Sequence, residues 1–360
     1  MHGWRHDPVF SPFFHATGYV VAANTPEGIK RVKRHEAKDP GSSYEDLERA
    51  EQFWETMPEG VLTGDFPGWK GWYKSSGCGW AHARKALVSA AKEAERMGVK
   101  FLTGSPMGEV MALLYEDGDV VGARTMDGEE HRAVRTILCT GANTPQLLDV
   151  KGQLRPTAWT LAHIKVTLEE AGLYRDLPVL FNIEKGFFME PDEDHQELKI
   201  CDEHPGYCNW VEVEGSKEKI SLPFARHEIP LESEERVREF LRETMPQLAE
   251  RPFAFARICW CADTPDRGFL MGAHPEYDSL VLGIGDSGHG YMHIPAIGGF
   301  IADSMEGCLD QRLKHAFRWR PEIAADPNWV NNTLGRFGGP NKVMDFQEVK
   351  GWTNISKEKL

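Results

Sequence analysis

The chain has 360 residues, 41% of them hydrophobic, and a formal net charge of −14 at pH 7. That length predicts about two domains with an ample core, and the acidic excess argues against nucleic acid or an anionic membrane as the main partner, because phosphate neutralisation needs clustered Lys and Arg. No apolar run is long enough to span a bilayer, and Met1-His2-Gly3-Trp4-Arg5 does not open a signal peptide. The 7 cysteines, at 78, 139, 201, 208, 259, 261 and 308, are odd in number and mostly sit in apolar segments, which suits reduced thiols inside a cell.

In chain order, the first expected element is a strand from Gly18 to Ala23, followed by a helix capped by Thr25 with Pro26 in its first turn. The basic cluster Arg31 to Arg34 reads as the solvated face of that helix. Next, Trp80, Ala83, Leu87, Ala90, Ala91 and Ala94 recur at helical spacing, Gly98 ends the helix, and Val99 to Leu102 reads as a strand. Two further strands, Val110 to Tyr115 and Val120 to Thr125, flank an Asp117-Gly118 turn. Val134 to Cys139 reads as a buried strand stopping at Thr140-Gly141-Ala142, with Pro145 starting a helix.

From Ala158 the pattern lengthens into extended segments: Ala158 to Val166, Val179 to Ile183, Gly186 to Glu190 and Glu197 to Cys201, the last two joined as a hairpin by the acidic turn Pro191 to Asp194. A helix from Ser233 to Thr244 carries Glu234 and Glu235 near its N-terminus, where the dipole favours them. Ala254 to Ala262 is another strand. Then Ser279 to Ile284, apolar, runs into Gly285-Asp286-Ser287-Gly288-His289-Gly290, a glycine turn opening a helix. A strand stopping at glycines lets backbone approach a ligand, and free helix N–H groups favour an anion or an electron-rich ring. Gly283, Gly285 and Gly288 fit a dinucleotide fingerprint, but such a fingerprint usually opens its domain, so a tight turn without ligand stays open as the alternative. The fold class expected is α/β (α+β), with one domain interrupted by another and the C-terminal segment from Asn331 wrapped over the surface.

Six motifs then carry a resemblance over nearly the whole chain: Gly64-Asp65-Phe66-Pro67-Gly68-Trp69-Lys70-Gly71, Gly79-Trp80-Ala81-His82-Ala83-Arg84, Leu154-Arg155-Pro156-Thr157-Ala158-Trp159-Thr160, Lys199 to Tyr207, Arg257 to Thr264 and Thr333 to Pro340. They resemble the fungal fructosyl amino acid oxidases, or amadoriases, within the monomeric sarcosine oxidase group of FAD enzymes. The resemblance implies an incomplete FAD-binding Rossmann-like domain with an inserted mixed or antiparallel-sheet substrate domain, divided as 1–75 substrate and connecting segments, 76–155 FAD-binding, 156–255 substrate, 256–325 FAD-binding and 326–360 C-terminal wrap. It implies oxidation of a secondary amine, the C–N bond of an Amadori adduct, to an imine, with oxygen reduced to hydrogen peroxide.

Residue by residue, the resemblance implies covalent attachment of FAD through Cys259, the thiolate being the nucleophilic form of sulfur. It makes Lys199 the oxygen-activating cation, and Glu203 and Arg336 the substrate-binding pair, the arginine fork taking a carboxylate. Gly141, Gly285, Asp286, Ser287, Gly288, His289, Gly290 and Met292 would line the cofactor, with Asp286 to Gly290 capping a helix aimed at the flavin. A bare reading of the same residues leaves Cys259 a buried strand cysteine and Lys199 an exposed lysine. Zinc at Cys201, Cys208, Cys259 and Cys261 is disfavoured by spacing, and no metal is expected.

Two departures qualify the resemblance. The family's N-terminal βαβ unit, with its Gly-x-Gly-x-x-Gly loop, has no counterpart here, which predicts impaired FAD binding, strands without ladder partners and apolar faces open to water. Met292 stands where a lysine usually reaches the substrate, and Gly272 replaces an acidic residue. Two alternatives follow: a non-catalytic remnant without flavin, or an oxidase of pipecolate-, saccharopine- or sarcosine-type amines. The expected partners are a small-molecule amine and oxygen, with no nucleic acid and no membrane, in a monomer. The expected compartment is cytoplasmic, with peroxisomes the alternative, since Lys359-Leu360 matches only the last two residues of a Ser-Lys-Leu signal.

Overall fold

In the computed structural model, residues 1–36, 43–213, 219–326, 329, 332–335 and 339–355 are described. The strands that organise the molecule are β1 (Tyr19–Ala23), β2 (Glu45–Leu47), β3 (Lys70–Lys74), β4 (Thr136–Leu138), β5 (Arg155–Lys165), β6 (Val179–Asn182) and β7 (Gly186–Phe188). They continue with β8 (Glu197–Cys208), β9 (Phe253–Asp263), β10 (Leu270–Ala273), β11 (Leu280–Ile284), β12 (Asn332–Leu334) and β13 (Pro340–Asp345). Ten of them form one mixed sheet in the order β9-β5-β8-β7-β6-β1-β3-β2, with β13 beside β8 and β12 beside β13. A second sheet, β10-β11-β4, has three strands, β11 and β4 running parallel.

The large sheet owes its core to alternation. Along β8, Leu198, Ile200 and Asp202 point to one side and are buried, while Lys199, Cys201 and Glu203 point to the other. The first side packs on α3 (Leu231–Thr244), whose Val237, Phe240, Leu241 and Thr244 recur at i, i+3, i+4 and i+7 and are all buried. Trp69 fills the centre of this core and donates its indole N–H to Glu243 at 2.8 Å. Helix α1 (Pro26–Glu36) starts where Thr25 Oγ1 accepts the Gly28 N–H at 3.1 Å, as expected of a cap. In β3, Gly71 lies against β1, where a Cβ would meet the Val21 carbonyl oxygen at 2.0 Å, so no larger residue fits.

The hairpin Val110–Glu116/Asp119–Thr125 forms around Asp117 and Gly118, both at positive φ, as the turn requires. Other expectations differ from what forms. Helix α2 (Ala83–Arg96) forms, but only Ala86 is buried, packed with Ala90 near Trp4 and Phe10, while Leu87 is 49% exposed; Trp80 precedes the helix in a short strand. Residues 99–102 are not a strand: no neighbour supplies a ladder, and Phe101 and Leu102 are exposed. The strand expected over Val134 to Cys139 shrinks to β4, an edge strand with Ile137 45% exposed. Pro145 lies inside a 3₁₀ turn, Gly141–Gln146, rather than starting a helix. The C-terminal segment does not simply wrap, since β13 runs parallel to β8 inside the sheet. The boundary set at residue 256 falls within the single strand β9.

Candidate active site

The open side of the large sheet carries the residues of interest. Pairing sets Lys199 of β8 against His163 of β5, Cys201 against Leu161, and Trp159 of β5 against Cys259 of β9. The buried Ala158, Ala162, Ala256 and Ile258 face the opposite side, so Trp159, Leu161, His163, Arg257, Cys259 and Cys261 share one surface with Lys199 and Glu203. Lys199 and Glu203 stand about 13 Å apart along that surface. Cys259 is half-buried, so it is not the fully buried strand residue of the bare reading.

His163 sits amid this surface. Its Nδ1 meets Glu197 at 3.0 Å, yet burial holds its pKa below the ordinary imidazole range, and Lys199 and Arg257 push the same way. Lys199 has no hydrogen-bond or ion-pair partner among the described residues, which suits a cation kept for an external charge. Glu203 is 7% exposed and lines a small cavity with Trp159, His204, Arg267, Ser287, Gly288, Gly335 and Asn341. The fold thus brings Glu203 together with the glycine turn, whereas Lys199 lines a second, larger cavity. Arg336 lies outside the described residues, although its neighbour Gly335 lines the cavity of Glu203.

The glycine turn is held in place by the end of β9. Asp286 Oδ1 accepts the Ala262 N–H at 2.8 Å and its Oδ2 accepts the Gly288 N–H at 3.1 Å; Ser287 N–H donates to the Ala262 carbonyl at 3.1 Å and Ser287 Oγ accepts the Thr264 N–H at 3.1 Å. Gly285, Ser287 and Gly288 all have positive φ, at 79°, 44° and 74°. At Gly285 a Cβ would also stand 2.9 Å from the Leu270 nitrogen, so glycine is required there. Asp286 therefore locks the turn rather than capping the next helix: Gly290–His293 is a 3₁₀ turn, and α4 (Ile294–Met305) begins after it with no side-chain cap. The His289 ring lies tilted against Phe269, 5.0 Å between centroids and 52° between planes. Met292 is 60% exposed and its carbonyl accepts the Trp4 indole N–H at 2.8 Å.

A dinucleotide cofactor fits this architecture. Because β4 and β11 are parallel neighbours, the Gly141 turn and the Gly285–Gly290 turn stand side by side at their carboxyl ends, where α/β sheets bind ligands. Gly141 has φ 50° and no atom within 4 Å of where a Cβ would be, leaving backbone open to a ligand.

The FAD dependent oxidoreductase family matches residues 5–304. The chain belongs to that family. Within it, the chain is similar to the fructosyl amine:oxygen oxidoreductase Amadoriase I of Aspergillus fumigatus, 58% identical with a TM-score of 0.94, over 98% of this chain and 81% of that one. It is likewise similar to the deglycating fructosamine oxidase Amadoriase II of the same fungus, solved in complex with FSA, at 56% identity and a TM-score of 0.95, over 99% of this chain and 82% of that one. Among curated relatives, L-saccharopine oxidase of Schizosaccharomyces pombe is 27% identical over 69% of this chain and 60% of its own length. An amino acid oxidase of Aspergillus fumigatus is 26% identical over 63% of this chain and 56% of its own. The chain thus spans less than two thirds of these curated relatives.

Sequence reasoning missed His163, Trp159 and Arg257 as members of the same surface. The alternation along each strand was readable, but which strands are neighbours, and in what register, was not.

Proposed function

We propose that this protein oxidises secondary amines of the fructosyl amino acid class, converting the C–N bond to an imine while oxygen takes up the two electrons and two protons as hydrogen peroxide. The observation that carries the reading is the open sheet surface that bears Lys199, Glu203 and Cys259, with Glu203 beside the locked glycine turn, in a chain 58% identical to a fructosyl amine oxidoreductase. FAD would be held by Gly141 and by Gly285 to Gly290 with Met292 nearby, and joined through Cys259. Bound there, it supplies the acceptor for hydride from the carbon next to nitrogen. Lys199 offers a fixed positive charge where negative charge grows on oxygen. Glu203 holds the amine or sugar hydroxyls, and Arg336 grips the amino acid carboxylate. A division into FAD-binding and substrate domains, with the boundary at 256 set aside because it cuts β9, a monomeric state and a cytoplasmic or peroxisomal compartment belong to the same proposal; no helix among the described residues is long and apolar enough to cross a membrane.

The experiment is an absorbance spectrum before and after acid denaturation, paired with a peroxide assay on fructosyl-valine. Flavin bands that stay with denatured protein, and are lost in Cys259→Ala, support covalent FAD and turnover. Protein that takes up no flavin on reconstitution would overturn the reading for this chain in favour of a non-catalytic remnant. Met292 favours a second reading, since an exposed thioether cannot bind an anion where a charged residue would. Faster peroxide formation from pipecolate or saccharopine than from fructosyl-valine would favour that imino-acid reading.

A further inference from the structure

A cavity of about 1220 Å³ lies over the sheet surface beside Lys199, walled on one side by β5, β8 and β9 and on the other by the start of α2. It contains charges of both signs, but they are not equivalent. Each acid on its wall is engaged. Glu190 accepts the Trp80 indole N–H at 2.7 Å, Asp192 meets His82 at 2.9 Å, Asp194 meets Lys85 at 2.9 Å, and Glu197 meets His163 at 3.0 Å. The cations Arg84, Lys92, Lys199 and Arg257 have no hydrogen-bond or ion-pair partner among the described residues. In a chain of net charge −14, a cavity in which the charged side chains left without a hydrogen-bond or ion-pair partner are all cations is a local departure from the acidic balance.

The position of Arg257 narrows what the charge faces. It lies opposite Leu161 on the same strand face as Cys259, two residues away and so about 7 Å along β9. The nearby acid, Glu197, is taken up by His163 Nδ1 at 3.0 Å, and Arg257 has no hydrogen-bond or ion-pair partner among the described residues. Arg84 comes from the first turn of α2, on the opposite wall.

We infer that this cavity binds an anionic group of the substrate, a carboxylate remote from the reacting C–N bond, between Arg257 and Arg84. The substrate class is then amines with an acidic side chain, and Arg257 and Arg84 are specificity-determining residues. The inference rests on the oxidase reading for the word substrate, but the binding itself does not need flavin.

The test is calorimetry on the full chain with three probes: glutarate, its neutral analogue glutaramide, and inorganic pyrophosphate. Glutarate is expected to bind, glutaramide not, and binding is expected to weaken as salt rises. Arg257→Gln and Arg84→Gln should each weaken glutarate about tenfold, and Arg257→Lys should recover part of the loss. Both side chains are exposed and unpaired, so neither change threatens folding. Glutarate heat that is absent, or identical in wild type and both glutamine variants, would overturn the inference. So would pyrophosphate binding about tenfold tighter than glutarate, since the cations would then serve a phosphate group. Failure of the oxidase reading shows separately, as absence of flavin bands.

Discussion

Lys199 and Asp286 illustrate two ways a single side chain matters here. Lys199 is a cation left unmatched on the open sheet surface, so its value lies in what it meets from outside. Lys199→Met is expected to lower the rate of peroxide formation about 100-fold while changing KM for the amine less than about threefold, read by steady-state oxygen consumption. Asp286, by contrast, is engaged on both oxygens by the backbone N–H groups of Ala262 and Gly288. Asp286→Ala leaves those donors unmatched and should cost about 3 kcal/mol of stability, seen as a lower urea midpoint with unchanged slope, together with reduced flavin retention. Asp286→Asn, which keeps one acceptor oxygen, should lose less. Cys259 and Lys199 stood out in the sequence because they lie within motifs. Asp286 was legible as a member of the turn but not as its lock, because its partner Ala262 is 24 residues away.

At the scale of elements, the segment Leu168–Leu173 shows how one ion pair fixes a short helix. Thr167 and Glu170 form a reciprocal cap, and Glu170 also receives Arg251. The Arg251 guanidinium lowers the Glu170 pKa to about 2 from the ordinary 4.5. A carboxyl depressed in the folded state adds stability that is fully present above its unfolded pKa, and that fades as pH falls from about 4.5 to about 2. Because the pair is partly solvated, about 1 to 2 kcal/mol is expected. Guanidinium unfolding at pH 7 and pH 3 should show this loss in the wild type and a smaller one in Glu170→Gln.

The long strands β5, β8 and β9, and the helix α3, were legible because their apolar periodicity is long and consistent. The segment 99–102, read as a strand, forms none, and 134–139, read as a buried strand, keeps only the edge strand at 136–138, for the same reason: an apolar run states that a segment gains from a cover, not that a cover is adjacent. Ile137 and Phe101 are exposed because no strand or helix among the described residues reaches them.

Across the whole molecule, this pattern leaves apolar side chains exposed in several segments. Leu87 and Val88 of α2, Phe101, Leu102 and Met107 are all exposed, α4 has no buried residue, and Gly298 and Gly299 have no neighbour within 4 Å of an added Cβ. Apolar side chains left in solvent are a solubility liability. Because both side chains already face solvent, Leu87→Lys with Val88→Glu is expected to raise solubility and to change the thermal midpoint little, read by calorimetry.

The sequence by itself determined the α/β class, the turn chemistry of Asp117-Gly118 and Gly285 to Gly290, and the oxidoreductase family, since each depends on residues close in the chain or on motifs with fixed spacing. Only the tertiary structure decided that Lys199, Glu203, Cys259, His163 and Arg257 share one face, that Asp286 locks the turn to β9, and that an unmatched positive wall stands above the sheet. Those facts depend on strand order and register, which arise from long-range pairing and are set by the burial of the opposite face.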